Sequence, residues 1–351
     1  MSTKKQRNST IELLKLLLMF GVVILHTCGG SGGALELTSG KNIDLEVLRG
    51  FFICAVDCFI IISGYYLCST NKRNISKVIN LYLISVLFSL LITIASSVLD
   101  KSFSLANILQ TFVVGNYFLH LYSAVYILSP FINKSLDNIT KKSFQILIML
   151  MLLMFSIYPT FIEYLFTRDE TLMGHSFVSY FDGDGHGYTL VNFMFMYIIG
   201  AYLRKYGTPL RRKFSCLLIF IFSSIIMALV MYYIHKVELN YFSPVCIAAS
   251  IALFNLFVLI KPSTLKFINY LSSTVFGVFI VHGFVLTQLK KVISIESIVS
   301  SPVLQRLVGI LLFAFIVFAI SVVISIVLNV LIDKLIMKYI SRINSLSYEI
   351  N

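Results

Sequence analysis

The sequence predicts an all-α polytopic membrane protein with about ten transmembrane helices and both termini in the cytoplasm. Three observations predict it. Hydrophobic residues fill 58% of the 351 positions and charged residues only 13%, which is more apolar surface than a soluble domain can hide. The apolar residues come in long runs of roughly 20, enough to cross a bilayer as a helix. The basic residues, which set a net charge of +12, fall mainly in the short segments between runs. That placement makes membrane orientation, rather than nucleic acid, the reason for the basic balance.

The first run, 11–29, follows a basic start at Lys4, Lys5 and Arg7 and ends in Cys28-Gly29-Gly30. A signal peptide can begin that way. This run, however, carries Glu12, Lys15 and His26, and Leu25-His26-Thr27 lacks the small residues that precede a lipoprotein cysteine, so it is read as a retained span. The remaining spans are read at 45–68, 78–99, 117–133, 143–158, 188–203, 214–235, 244–260, 267–289 and 304–332. Membrane barrels would show short alternating segments, whereas these runs are long and continuously apolar. With the N-terminus inside, nineteen of the 28 Lys and Arg residues fall on the inner side and eight on the outer, with Lys15 inside the first run. This asymmetry sets both termini in the cytoplasm. The longest outer loop, 159–187, is rich in acidic residues, glycine and histidine. No internal repeat or soluble segment interrupts the pattern, so the chain reads as one integral-membrane domain over 1–351. The abundance of Ile, Asn, Lys and Ser and the absence of tryptophan point to a bacterial plasma membrane.

Six cysteines lie in or beside the spans: Cys28, Cys54, Cys58, Cys68, Cys216 and Cys246. They form no Cys-x-x-Cys pair and no zinc spacing with histidine, so they read as small apolar packing groups and no metal is expected. Asp182-Gly183-Asp184-Gly185 hints at a calcium loop but lacks the distant glutamate of an EF-hand.

Ionisable side chains within spans are costly and mark pathways or partners. Glu12 and Lys15 are three residues apart and can pair. Lys15 and His26 are eleven apart, close to three full turns, so they share a face about 16 Å apart along the axis. His282 in the ninth span lies at a similar depth to His26, about 22 Å from the inner end. Asp57 sits near the middle of the second span, followed by Ser63-Gly64-Tyr65. A pathway follows, with Lys15, Arg73 and Lys77 at its inner mouth and two imidazoles, with Asp57, farther out. Imidazole titrates near neutrality and is the usual base for a hydroxyl nucleophile. Fixed cations suit phosphate groups. The bland reading stands beside this one: a histidine or aspartate inside a span also serves as a hydrogen-bonded packing group, and Ser63-Gly64 as a site of close helix approach.

Several segments carry a resemblance to a known family. Ile11-Glu12-Leu13-Leu14-Lys15 through Leu25-His26 resembles the first span of the integral-membrane acyltransferase family 3, with its basic residue, ten residues, then histidine. Val56-Asp57-Cys58-Phe59 through Ser63-Gly64-Tyr65 is similar to that family's second-helix motif. Asn116-Tyr117-Phe118 through Leu128-Ser129-Pro130-Phe131, Gly200-Ala201-Tyr202-Leu203, and Ser273-Thr274-Val275-Phe276-Gly277 through His282 follow in the family's order. The resemblance implies ten spans, an acyl-CoA donor (often acetyl-CoA) and O-acylation of a cell-surface or lipid-linked carbohydrate. It implies acyl transfer by His26 and donor binding by Lys15. The reading of the residues themselves adds His282 and Asp57 as further catalytic candidates and Ser63, Arg73 and Lys77 on the donor side, where Arg73 and Lys77 match the family's paired arginines only loosely. Tyr65, His175 and His186 are the candidates for holding the sugar. There are departures. Lysine replaces the usual arginine and loses its bidentate fork, Asp57 stands where asparagine is common, and Phe279 lacks the usual tyrosine hydroxyl.

Two other classes compete. A flippase or transporter of a lipid-linked sugar would also need ten spans and midplane charges, but no inverted repeat and no pair of Gly- or Pro-broken spans is evident. A polysaccharide polymerase would carry a larger, more basic outer loop.

Overall fold

The computed structural model describes residues 7–29, 32–38, 42–101, 103–113, 115–161, 188–208, 210–233, 241–343 and 347–350, without the side chains of 332–343. In chain order the helices are α1 (Ser9–Cys28), α2 (Ala34–Leu37), α3 (Ile43–Phe52), α4 (Ala55–Leu67), α5 (Ile75–Leu99), α6 (Leu105–Gln110), α7 (Tyr117–Asp137) and α8 (Lys141–Leu152). The last of these runs on through a π turn at Leu153–Ile157 to Phe161. Then follow α9 (Leu190–Tyr206), α10 (Lys213–Tyr233), α11 (Pro244–Val258), α12 (Lys266–Ser272), α13 (Val275–Lys290), α14 (Ile295–Val299) and α15 (Val303–Ile343). Two three-residue strands, β1 (Lys72–Asn74) and β2 (Ser347–Glu349), pair with each other.

Each apolar run holds helix, and the described residues form an all-α membrane protein in all but that short ribbon. Among the described residues, five helices are long and apolar enough to cross a membrane, and six if the bent pair α12–α13 counts as one. Two of the runs read as continuous helices are broken. The run 45–68 divides into α3 and α4 at Ile53–Cys54. The run 267–289 divides into α12 and α13 at Ser273–Thr274, with a bend of 55°. Broken runs are therefore present, although neither break falls on a glycine or proline, the kind of break weighed against a transporter. The physical reason is visible at the second break. Ser273 Oγ donates to Tyr270 O at 2.6 Å, Thr274 Oγ1 to Leu271 O at 2.7 Å, and Ser325 Oγ of α15 to Thr274 O at 3.2 Å. Hydroxyls satisfy the carbonyls that the break releases, as a helix in hydrocarbon requires. The last helix also runs on to Ile343, beyond the 304–332 expected.

The chain divides into two compact units. The first comprises 1–37, 72–120 and 264–348. In it, α1 packs on α12, α13 and α15, while α13 also packs on α5 and α15. Gly277 on α13 permits a close approach: a Cβ there would overlap the Ser325 hydroxyl and the Phe88 ring.

The second unit comprises 38–71, 121–263 and 349–351. Its centre is the crossing of α4 with α9, where the backbones touch. A Cβ on Gly64 would overlap the Tyr197 carbonyl oxygen, and one on Gly200 the Ile61 carbonyl oxygen. Small residues allow this approach, which in a membrane replaces the apolar driving force of a soluble core. The end of α4 is held by Asn133, whose amide donates to Leu67 O and Thr70 O at 3.0 Å each, and whose oxygen accepts from Tyr197 Oη at 2.8 Å.

Gly64→Ala therefore destabilises the protein by about 1–3 kcal/mol, the usual cost of overpacking. The expected result is a midpoint of thermal denaturation in detergent several degrees below wild type. An unchanged midpoint would show that the α4–α9 crossing yields without cost.

Candidate active site

The first unit builds its site from the start of α1. Asn8 caps the helix by accepting from Thr10 N, as N-cap asparagines do. Ser9 Oγ donates to Asn269 Oδ1 at 2.9 Å and accepts from Leu265 N at 2.6 Å. One turn on, Glu12 accepts from the Ser272 hydroxyl at the end of α12 and from the Lys15 ammonium at 2.7 Å. The first turns of α1 are thus stapled to α12. The Glu12–Lys15 pair expected from the spacing is present, with the carboxylate buried and the lysine 29% accessible. A buried charge held by a cation and a hydroxyl is the tolerable arrangement in a span.

Along α1 from Val22 to Cys28 every side chain is buried except His26, which is exposed. It faces α13: the His26 and His282 ring centroids are 5.0 Å apart with the planes inclined at 49°. His282 is only 7% accessible, and its Nδ1 lies 3.1 Å from Val278 O. A carbonyl only accepts, so Nδ1 carries the proton and the lone pair resides on Nε2. Phe279 stacks on His282 with centroids 6.2 Å apart and meets Phe118 edge-on at 5.3 Å. The ring that replaces the expected tyrosine therefore packs against the second imidazole. The structure brings the two histidines together, as their equal depth implied. Lys290 lies two turns on from His282 along the same helix, α13. Sequence reasoning had used Lys290 only for orientation.

Of the cations expected at the inner mouth, Arg73 is buried in β1 with Nη1 donating to Lys72 O at 2.9 Å, while Lys77 is exposed on the first turn of α5.

Asp57, Ser63 and Tyr65 belong to the second unit. Asp57 is fully enclosed. Its Oδ1 accepts from the Asn192 amide at 3.0 Å, and its Oδ2 lies 3.8 Å from Cys246 Sγ. Ser250 Oγ lies 2.9 Å from Cys246 O and 3.2 Å from Cys54 O, so this polar cluster joins α4, α9 and α11. Ser63 donates back to Phe59 O within its own helix at 3.0 Å. The Tyr65 hydroxyl lies 3.4 Å from Arg204 Nη1, with the guanidinium 5.0 Å from the ring centroid. Arg204 also lines a cleft of about 290 Å³ with Asn133, Asp137 and Lys205. Sequence reading missed this cleft because it used the two cations only for orientation. His175 and His186 lie outside the described residues.

A protein-family model described as an acyltransferase domain matches residues 8–330. No curated protein and no solved structure matches the chain.

The Asp57 cluster yields a prediction. Asn192→Leu removes the donor and leaves the carboxyl enclosed, at a cost of about 1–3 kcal/mol, visible as a lower denaturation midpoint in detergent. Asp57→Asn keeps the shape and folds like wild type, with turnover within threefold. A hundredfold loss of turnover in folded Asp57→Asn protein would instead place the carboxylate in the chemistry.

Proposed function

The chain belongs to the acyltransferase family whose model covers residues 8–330, and from that premise we propose that it transfers an acyl group from acyl-CoA, acetyl-CoA by default, to a hydroxyl of a cell-surface or lipid-linked carbohydrate. The observation that carries the site assignment is the contact between His26 and His282, 5.0 Å between centroids, formed by an exposed and a buried imidazole. His26 acts as general base. It takes the proton of the acceptor hydroxyl as the oxygen attacks the thioester carbonyl, and returns a proton to the sulfur as the carbon–sulfur bond breaks, releasing CoA thiol. His282, with Nδ1–H committed to Val278 O, presents Nε2 and holds the orientation of the first ring. Lys15 binds the donor on the inner side. Its ammonium has three donors and Glu12 uses one, which leaves capacity for a phosphate oxygen. Arg73 and Lys77 extend that basic mouth. Asp57 enters this reading as the group that holds α4, α9 and α11 together. Ser63 and Tyr65 remain candidates beside the donor and the sugar, and His175 and His186 candidates on the sugar side.

The wider placement belongs to the same proposal: ten spans in a single domain, both termini cytoplasmic, in a bacterial plasma membrane. The orientation rests on the asymmetry of Lys and Arg between the two sides. The transporter reading keeps one observation in its favour, the bent α12–α13 pair. Substrate movement without consumption of acyl-CoA would support it.

Two variants test the proposal in proteoliposomes supplied with acetyl-CoA. His26→Ala lowers acyl transfer by about 10²–10⁴-fold, the usual contribution of a general base, with an unaltered denaturation midpoint. Full activity in this variant would defeat the mechanism. Lys15→Met raises the KM for acetyl-CoA roughly tenfold or more, the scale of one charge-assisted hydrogen bond, and leaves kcat within threefold. An unchanged KM would refute the donor role.

A further inference from the structure

Among the long helices, α5 is strongly apolar, with a mean hydropathy of 2.4 over an 18-residue stretch, yet one face carries Ser85, Ser89, Thr93, Ser96 and Ser97 at intervals of about one turn. The opposite face shows Leu83, Leu91, Ile94 and Val98, all exposed, as a lipid-facing surface would. Hydroxyls in a helix commonly donate back to the carbonyl one turn earlier. Thr27, Ser63, Ser129, Ser250, Thr287 and Ser321 all do so. None of the five on α5 does, and none makes a side-chain hydrogen bond to another described residue. All five line one cavity of about 640 Å³, and Ser85 reaches it although only 4% accessible. Hydroxyls turned from their own helix carbonyls toward a cavity can hydrogen-bond what enters it.

The rest of the lining has the same chemistry. Asn107 and Gln110 of α6, with Asn116, add amides. Among the described residues the charged group of the lining is Asp100, already joined to Lys291 at 2.5 Å, and none of those lining the space is Lys, Arg or His. Hydroxyls and amides both donate and accept, which matches the hydroxyls of a sugar. A phosphate would call for cations or a row of backbone N–H groups. The volume falls in the range of small-ligand sites, about 300–1,000 Å³. At one side the wall is Phe279, the ring that stacks on His282, so the cavity abuts the histidine pair.

We infer that this cavity is the docking site of the acyl acceptor, and that the part of the acceptor held there is uncharged carbohydrate. The inference rests on the acyltransferase reading above and adds where the acceptor lies and what recognises it. In the proposed topology α5 runs outward from Ile75, so the hydroxyl row occupies its outer part, on the side where surface glycan is found.

The test uses the full-length chain in proteoliposomes. The probe is surface glycan from cells that express the protein, stripped of esters with mild alkali. Thr93→Cys is labelled with a fluorescent maleimide, with wild type as the background for the native cysteines. The glycan slows labelling at least threefold, and the same concentration of acetyl-CoA leaves it unchanged. No protection by the glycan overturns the inference, as does protection by acetyl-CoA, which would make the cavity a donor channel. In parallel, the triple variant Ser85→Ala, Ser89→Ala, Thr93→Val raises the KM for glycan at least tenfold while the KM for acetyl-CoA stays within twofold. An unchanged glycan KM also overturns it. Wild-type protein that consumes no acetyl-CoA would sink the donor assignment above, and the labelling experiment would still report on the cavity independently.

Discussion

Inside a bilayer a polar group has no water to fall back on, so it must find a protein partner or line a wet space. That constraint organises this molecule more than any apolar contact does. Glu12 is buried yet flanked by Lys15 and the Ser272 hydroxyl. Asp57 is enclosed yet bonded to Asn192. The carbonyls freed at the α12–α13 break are taken up by Ser273, Thr274 and Ser325. Where a row of polar groups makes no side-chain hydrogen bond among the described residues, as on α5, a cavity lies in front of it.

The same constraint assembles the candidate site. Near its start, α1 is stapled to the end of α12 through Glu12 and Ser272. Directly after Ser272 the chain bends by 55° and continues as α13. Ten residues after Ser272, α13 meets α1 again where His282 faces His26. Two contacts between α1 and one broken helix thus fix both ends of the arrangement, and the bend between them sets the direction in which the second imidazole arrives. A straight helix over 267–289 would diverge from α1 along another line.

Much of this was legible in the residues. The runs gave the helices because hydropathy averaged over a span is a strong signal. The Glu12–Lys15 pair followed from three-residue spacing, and the approach of His26 to His282 from their common depth. The bland reading of Gly64 as a packing residue describes what the structure places there, against Tyr197 O. The breaks at Ile53–Cys54 and Ser273–Thr274 were not legible. Search by glycine and proline overlooks hydroxyl side chains that can themselves satisfy an interrupted backbone. The hydroxyl row on α5 was hidden for a related reason. Serine and threonine are nearly neutral on a hydropathy scale, so a Leu- and Ile-rich run that carries five of them still averages as a span while one face turns polar. The Tyr65–Arg204 contact was hidden because it joins residues 139 positions apart, which no local pattern reports.

The glycine crossing of α4 and α9 has a thermal consequence. Contact between bare backbones owes its strength to dispersion and to carbonyl contacts, not to the release of ordered water, since the surrounding lipid is as apolar as the helices. Forces of that kind do not fade on cooling as water-driven burial does. The second unit therefore keeps its central joint in the cold.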